Sequence, residues 1–465
     1  MLSLNIKEAI KISLAVGIAI ALGMLFQWEK SYWAAITVIA ISANETFGHG
    51  IQKGRNRILG TFIGIIYALL LVGLFSQSHL LFISFFLLFL VICVYFADGL
   101  RFGYAFTMAI TVCSIVAIIG ASSGEISFSV AILRIQDTIL GLLVYATVYR
   151  FIWPTTTEGV FFDTLRLALS NLQTMQSQLQ KATKNNHQVD IRDEVLNCQL
   201  QLNKLSELIS MPLIASYQLQ HEKKQWLFII DTCQDLLLQI KRRISEFNLL
   251  QNKSEATNAI QQSHADIEQL KAATNADSKA RAEYIAGREN HEISIKVATN
   301  QSSGLSNIQL MRAFTAFTIS ATCFSLWIYF AIPGGVIFPL MGSVLAVVTV
   351  ALPYSIVKQA MWGILGWGIF FIAQYCFILP HFTELWQLVS FYMVNTFILW
   401  MVCSKPSLGL HKLLGGNLML VMSMNALHLI PQYDVKTALL MVSIMTICSA
   451  IALFYNKLFL VPAKP

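Results

Sequence analysis

Arg134 and Asp137 stand three residues apart inside an otherwise apolar stretch, 130–152, and Gly141 follows one further turn along the same helical face. A lone charge at the centre of a membrane helix costs roughly 2.5–3.5 kcal/mol on insertion scales, so an oppositely charged i,i+3 pair there is expected to face protein rather than lipid. Two roles fit the pair. Either Arg134 binds the anionic group of a solute while Asp137 takes up and releases a proton, or the two neutralise each other and lock neighbouring helices. A second run, Gly54-Arg55-Asn56-Arg57-Ile58-Leu59-Gly60-Thr61-Phe62-Ile63-Gly64, sets cations in front of a small-residue face. Gly60 and Gly64 let another helix approach closely. Lys53, Arg55 and Arg57 either concentrate carboxylate-bearing solutes at that entrance or only mark the positive side of the membrane. Glu45 and His49, four residues apart, are a second proton-relay candidate or part of a solvated loop. Trp33, with Trp28, Tyr32 and Trp153, fits an interfacial anchor and offers a face on which an aromatic solute can stack. Asp98 and Arg101 are expected to pair in a short turn. Asn417, Asn425 and His428 are expected on one span, lining a polar cavity or bonding between helices.

Composition names the scaffold that must hold these residues. Of 465 residues, 56% are hydrophobic and 12% charged, a balance at which a water-soluble chain would expose large apolar patches. A helix needs about 20 apolar residues to cross hydrocarbon. On that ruler the first block divides near 8–27, 32–47, 58–75, 79–97, 102–120 and 130–152, and the second near 310–330, 335–352, 356–379, 385–403, 409–430 and 437–457. Residues 154–306 hold 16 basic and 17 acidic side chains, which leaves 16 basic and 8 acidic in the two apolar blocks. That surplus, at Lys7, Lys11, Lys53, Arg55, Arg57, Arg101 and Arg150 and again at Arg312, Lys358, Lys405, Lys412, Lys457 and Lys464, places both termini and the polar middle on the cytoplasmic side, with Lys30 and Lys436 opposite. It does not point to nucleic acid, which would want its cations on a soluble domain.

The expected fold is therefore an all-α polytopic membrane protein, with two parallel six-span repeats, about 12 transmembrane helices, and a cytoplasmic helical domain between them. The boundaries are 1–153, 154–307 and 308–465, with the first apolar run kept as an uncleaved span. The second span of each repeat reads as irregular: one is interrupted by Asn44, Glu45, Gly48, His49 and Gly50, the other by Pro339 and Gly342 after Pro333-Gly334-Gly335. Paired interruptions point to a substrate site, or to ordinary kinks whose backbone groups find neighbours. In the middle, 158–184, 189–210, 217–248 and 255–285 carry apolar residues at three- and four-residue steps, for example Leu165, Leu169, Leu172, Met175 and Leu179, and predict packed amphipathic helices. The eight cysteines are scattered, without a C-x-x-C pair, and read as packing residues. With no P-loop, metal constellation or nucleophile beside a base, no cofactor and no enzymatic activity are expected, and transport must draw on an ion gradient or the solute's own gradient.

Tyr32-Trp33-Ala34 with Thr37-Val38, then Gly54 to Arg57 with Gly60-Thr61 and Gly64, and finally Arg134 with Asp137-Thr138 and Gly141 resemble the fusaric-acid-resistance (FUSC) family of inner-membrane proteins, which includes aromatic acid exporters. The resemblance implies proton-driven efflux of aromatic or other hydrophobic acids across a bacterial inner membrane, beside a periplasmic adaptor protein. A distant likeness to plant aluminium-activated malate channels keeps a passive organic-anion channel as an alternative. A non-transporting scaffold that recruits partners through its cytoplasmic helices is a third reading. The partners expected are the lipid bilayer and a small organic anion, with a homo-oligomer left open. On the exporter reading Arg57 and Arg134 attract the anion, Asp137 or Glu45 carries the proton, and Trp33 stacks on the solute.

Overall fold

In lipid a backbone must satisfy its own polar groups, so long apolar runs have helices as their only single-segment solution. Helices are what they form in the computed structural model, which describes residues 3–42, 47–98, 102–120, 123–154, 157–185, 192–210, 216–249, 267–274, 277–289, 307–330, 332–405 and 408–460. The first block holds α1 (Leu4–Leu25), α2 (Tyr32–Ser42), α3 (Phe47–Phe75), α4 (His79–Phe96), α5 (Gly103–Ile119) and α6 (Gly124–Phe151). The polar middle holds α7 (Thr157–Asn185), α8 (Arg192–Ser210), α9 (Tyr217–His221), α10 (Lys223–Leu249), α11 (267–274) and α12 (Ser278–Glu289). The second block holds α13 (Asn307–Tyr329), α14 (Ile337–Thr349), α15 (Tyr354–Phe377), α16 (Leu385–Val402), α17 (Gly409–Met422) and α18 (Val435–Phe459).

Among the described residues eight helices are long and apolar enough to cross a membrane: α1, α3, α4, α6, α13, α15, α16 and α18. The others, α2, α5, α14 and α17, have 11, 17, 13 and 14 residues, and they occupy the second and fifth places of each block. Two expected irregularities change character. Gly48, His49 and Gly50 do not interrupt a second span but lie in the first turn of the 29-residue α3, so Lys53, Arg55 and Arg57 also sit on that helix. Pro339 does not break α14 either: it occupies the first turn, where a helix has no use for the missing N–H. Asn44 and Glu45 lie outside the described residues.

The apolar blocks and the polar middle separate into two compact units, the second made of Pro154–Ser302 together with Thr46–Gln52. Within the first unit, α1 packs on α2 and α6 and α2 on α6, while α13 packs on α14 and α18 and α14 on α18. The blocks exchange contacts in the same reciprocal way, α1 on α16 and α4 on α13, α2 on α17 and α5 on α14. One cross-block tie is ionic: both Asp98 carboxylate oxygens accept from Arg312 at 2.7 Å. Asp98 was expected to pair with Arg101, which lies outside the described residues. Outward faces are apolar, with Leu70, Leu74, Leu80 and Phe377 exposed, as lipid requires. In the other unit α7, α8 and α10 close over a core that includes Leu165, Leu169, Leu172, Met175, Leu202, Leu205, Trp226 and Ile229. Arg281 clips α12 onto it, pairing with Glu222 while its guanidinium lies 4.0 Å from the Trp226 ring centroid. His49 faces Glu207 at 3.9 Å in the same unit.

Candidate functional site

The polar residues of α6 fall on one face at three- and four-residue steps, Arg134, Asp137, Gly141, Tyr145 and Tyr149, and α2 packs against that face. Gly141 sets the distance. A Cβ at this position would lie 2.6 Å from the Ala34 carbonyl oxygen and 2.7 Å from Thr37 Cβ, so only glycine lets the two backbones meet. Glu125 in the first turn of α6 and Arg150 in its last complement the helix dipole.

One turn before Gly141 the seam becomes charged. The Arg134 guanidinium carbon lies 3.5 Å from the Trp33 ring centroid and Lys30 Nζ lies 4.8 Å from the same ring, so one indole carries two cations. Trp33 is itself buried. Asp137 is 1% exposed, and both its carboxylate oxygens are buried without a hydrogen-bond partner, as is Arg134 Nε. The i,i+3 ion pair that would make these two residues purely structural is not among the described ion pairs; they interact through space, and the Arg134 guanidinium takes the indole of α2 instead. Burial, with the Arg134 charge beside it, holds the Lys30 ammonium below the ordinary lysine range.

From the other side α3 adds a third cation. Arg57 is 8% exposed, and its Nη1 donates to Tyr104 Oη at 3.0 Å and to Met108 Sδ at 3.3 Å. Its Nε is buried without a partner, and it is close enough to interact electrostatically with Arg134. Lys53 Nζ lies 5.0 Å from the Tyr104 ring centroid, whereas Arg55 is exposed on another face of α3 and does not join the group. Gly60 and Gly64 do what their spacing predicts, bringing α3 onto the Ala105 and Ala109 carbonyls of α5. Of the expected site residues, the fold thus gathers Trp33, Lys53, Arg57, Arg134 and Asp137, leaves out Arg55, and turns His49 toward Glu207. Glu45 lies outside the described residues.

The corresponding seam of the second block is apolar, with Phe338, Ile444 and Cys448 buried together and the Cys448 thiol on the Phe338 carbonyl at 3.8 Å. Asn417, Asn425 and His428 do not share a helix, because α17 covers Gly409–Met422 and a 3-10 turn follows at Met424–Leu427. Sequence reasoning passed over Lys30 and Tyr104, which only tertiary packing brings to the site, and Lys11. Lys11 was read as a topological charge, yet it is 1% exposed, over the Tyr149 ring. Its one signal was position, a lysine one turn inside the start of an apolar run.

Lys30, Arg57 and Arg134 set three cations against Asp137 and, beside Lys30, Glu29, so the group keeps a positive surplus and favours an anion. A guanidinium offers paired N–H donors to a carboxylate, and an indole beside it offers a flat apolar face to a ring. The arrangement is suited to an aromatic carboxylate, with a carboxyl group at hand to exchange a proton.

Relatives carry the same direction. The chain is 30% identical over 149 residues to a p-hydroxybenzoic acid efflux pump subunit AaeB of Musicola paradisiaca, a match covering 30% of this chain and 23% of that protein. It is 25% identical over 166 residues to the protein of the same description from Edwardsiella tarda, covering 34% and 26%. With that of Yersinia pestis it is 27% identical over 150 residues, covering 30% and 23%. The matched stretch spans about a quarter of the length of these curated relatives. Residues 7–283 match the family model described as the fusaric acid resistance protein family, which is more than half of the chain and includes α2, α3, α6 and every residue of the charged seam. On that match the chain belongs to the fusaric acid resistance protein family.

Proposed function

We propose that this protein exports aromatic or other hydrophobic organic acids across a bacterial inner membrane, and that a proton moves in exchange at Asp137. The observation that carries the reading is the buried Asp137 carboxyl, both oxygens unpartnered, one turn from an arginine laid on an indole. A buried carboxylate without hydrogen bonds is costly, and protonation removes the cost. The carboxylate of an incoming acid engages Arg134, with Arg57 and Lys30 adding field, and its ring replaces or joins the guanidinium on Trp33. An acid seated on Arg134 and Trp33 covers the Asp137 carboxyl one turn away and shuts the proton out. Anion and proton are thereby bound in turn rather than together, which is what exchange requires.

The layout proposed around this site has twelve spans in two parallel repeats of six, with residues 154–307 and both termini in the cytoplasm. It is supported by the reciprocal contacts between blocks and by the shorter helices at the second and fifth places of each. The apolar seam of α14 and α18 suits a second repeat that bears load rather than ligand. A periplasmic adaptor protein is the partner the family resemblance suggests. The description of the relatives as p-hydroxybenzoic acid efflux pump subunits makes p-hydroxybenzoate the first solute to try.

The test is flux from proteoliposomes loaded with labelled p-hydroxybenzoate. Wild-type efflux is expected to require a pH gradient, and Asp137→Asn is expected to reduce driven efflux at least tenfold while the protein elutes as before. Flux indifferent to the gradient in wild type would make the protein a passive conduit and end the exchange mechanism.

A further inference from the structure

Lys11 on α1 and Tyr149 on α6 repeat, farther along the same seam, the pairing of a cation with an aromatic face found at Arg134 and Trp33. Lys11 is 1% exposed, its Nζ lies 5.5 Å from the Tyr149 ring centroid, and Tyr149 stacks on Tyr145 with centroids 4.4 Å apart. No ion pair of Lys11 is among the described contacts; it feels Glu8 and Lys7 only through space. Tyr145 and Tyr149 are 0% and 6% exposed, and Ser42 at the far end of α2 is 7% exposed and donates to the Val38 carbonyl at 2.6 Å. Gly141 separates the two levels by closing α2 onto α6. From Asp137 to Tyr149 is twelve residues of one helix, about 18 Å at 1.5 Å per residue. A buried ammonium is expensive unless something neutralises it, and among the described residues Lys11 has a π-face as its contact, with the Glu8 carboxylate acting on it and on Tyr149 through space.

We infer that Lys11, Tyr145 and Tyr149 form a second binding station for an aromatic carboxylate, at the end of the seam that leads into α7. The ammonium takes the carboxylate and the tyrosines receive the ring. The inference rests on the exporter reading and extends it: the solute would be passed between two stations of like chemistry, with the tight α2–α6 contact at Gly141 between them. Among the described residues the α14–α18 seam does not repeat the arrangement; Phe338, Ile444 and Cys448 are buried together there.

Equilibrium dialysis of the full-length protein in detergent against labelled p-hydroxybenzoate tests it. Wild type is expected to bind two equivalents, Lys11→Met one, Arg134→Gln one, and the double variant none. Lys11→Arg keeps the charge and is expected to keep both equivalents, which separates loss of ligand from loss of fold. A single equivalent in wild type that survives in Lys11→Met but not in Arg134→Gln overturns the second station and leaves the exporter site standing. A single equivalent lost in Lys11→Met but kept in Arg134→Gln does the reverse. If Lys11→Arg loses the equivalent as Lys11→Met does, the lysine is structural and the station is refuted. Absence of any binding to wild type overturns both.

Discussion

Gly141→Ala puts a methyl group where α2 and α6 touch, and the cost follows from the distances. The new Cβ would stand 2.6 Å from the Ala34 carbonyl oxygen, 2.7 Å from Thr37 Cβ and 2.9 Å from Thr37 Cγ2. Reaching even 3.0 Å from a backbone oxygen requires the helices to part by about 0.4 Å, and no side-chain rotation supplies it. Overpacking of this kind costs typically 1–3 kcal/mol, against which the better helix propensity of alanine returns about 1 kcal/mol. Gly366→Ala on α15 is the matched control, because a Cβ there meets nothing within 4 Å and only the propensity gain remains. The two variants should therefore differ by roughly 1–3 kcal/mol, read as a lower melting temperature for Gly141→Ala by several degrees in fluorescence-detected unfolding of the purified protein. The same displacement moves Trp33 off Arg134, and misplacement on this scale should lower p-hydroxybenzoate efflux about tenfold or more. A Gly141→Ala protein as stable and as active as Gly366→Ala would show that the two backbones are not in contact and would refute the seam.

Three further outcomes are expected. Trp33→Ala should weaken p-hydroxybenzoate binding roughly two- to thirtyfold, the worth of a cation–π contact of about 0.5–2 kcal/mol, while Trp33→Phe recovers part of it; equal binding by both variants and wild type would remove the indole from the site. Asp98→Arg or Arg312→Asp alone should lower the melting temperature, and the exchanged pair should recover most of the loss, since an ion pair in which one Nη1 serves both carboxylate oxygens, about two-thirds shielded from solvent, is worth on the order of 1 kcal/mol. Arg281→Met should destabilise by about 3–5 kcal/mol because Glu222 is left buried and unpaired, and adding Glu222→Gln should restore much of it in the same unfolding assay; an additive double variant would contradict the pairing.

The crossing helices were legible because lipid asks for length and apolarity alone, and α4 and α18 are continuous runs of both. The amphipathic middle was legible for the related reason that Leu165, Leu169, Leu172, Met175 and Leu179 mark one helical face, and all five are buried. Helix starts were harder. Gly48, Gly50 and the polar run to Arg57 read as a loop, yet they form the first turns of α3, where Arg57 finds Tyr104 and Met108, partners 47 and 51 residues away. Pro339 read as a break because sequence gives the presence of a proline before it gives its place in the helix. The site residues were legible by their rarity, but their partners were not. Sequence spacing offered Asp137 to Arg134; packing offered Trp33, and the nearer, flatter neighbour took the guanidinium. Lys11 shows the same limit, since whether a lysine on α1 faces lipid, water or Tyr149 depends on the rotation of α1 against α6. The tie between Asp98 and Arg312 spans 214 residues, and no local pattern announces it.

Carbodiimide labelling of Asp137 tests the central claim most directly, because dicyclohexylcarbodiimide modifies carboxyl groups that are protonated and shielded from water. The full-length protein, treated with and without p-hydroxybenzoate and digested, should carry the adduct on the peptide containing Asp137, with labelling that falls as pH rises and is blocked by the acid but not by p-hydroxybenzyl alcohol. Absence of an adduct at Asp137 across the pH range, or labelling that the acid leaves unchanged, would contradict a proton-exchanging carboxyl beside the solute.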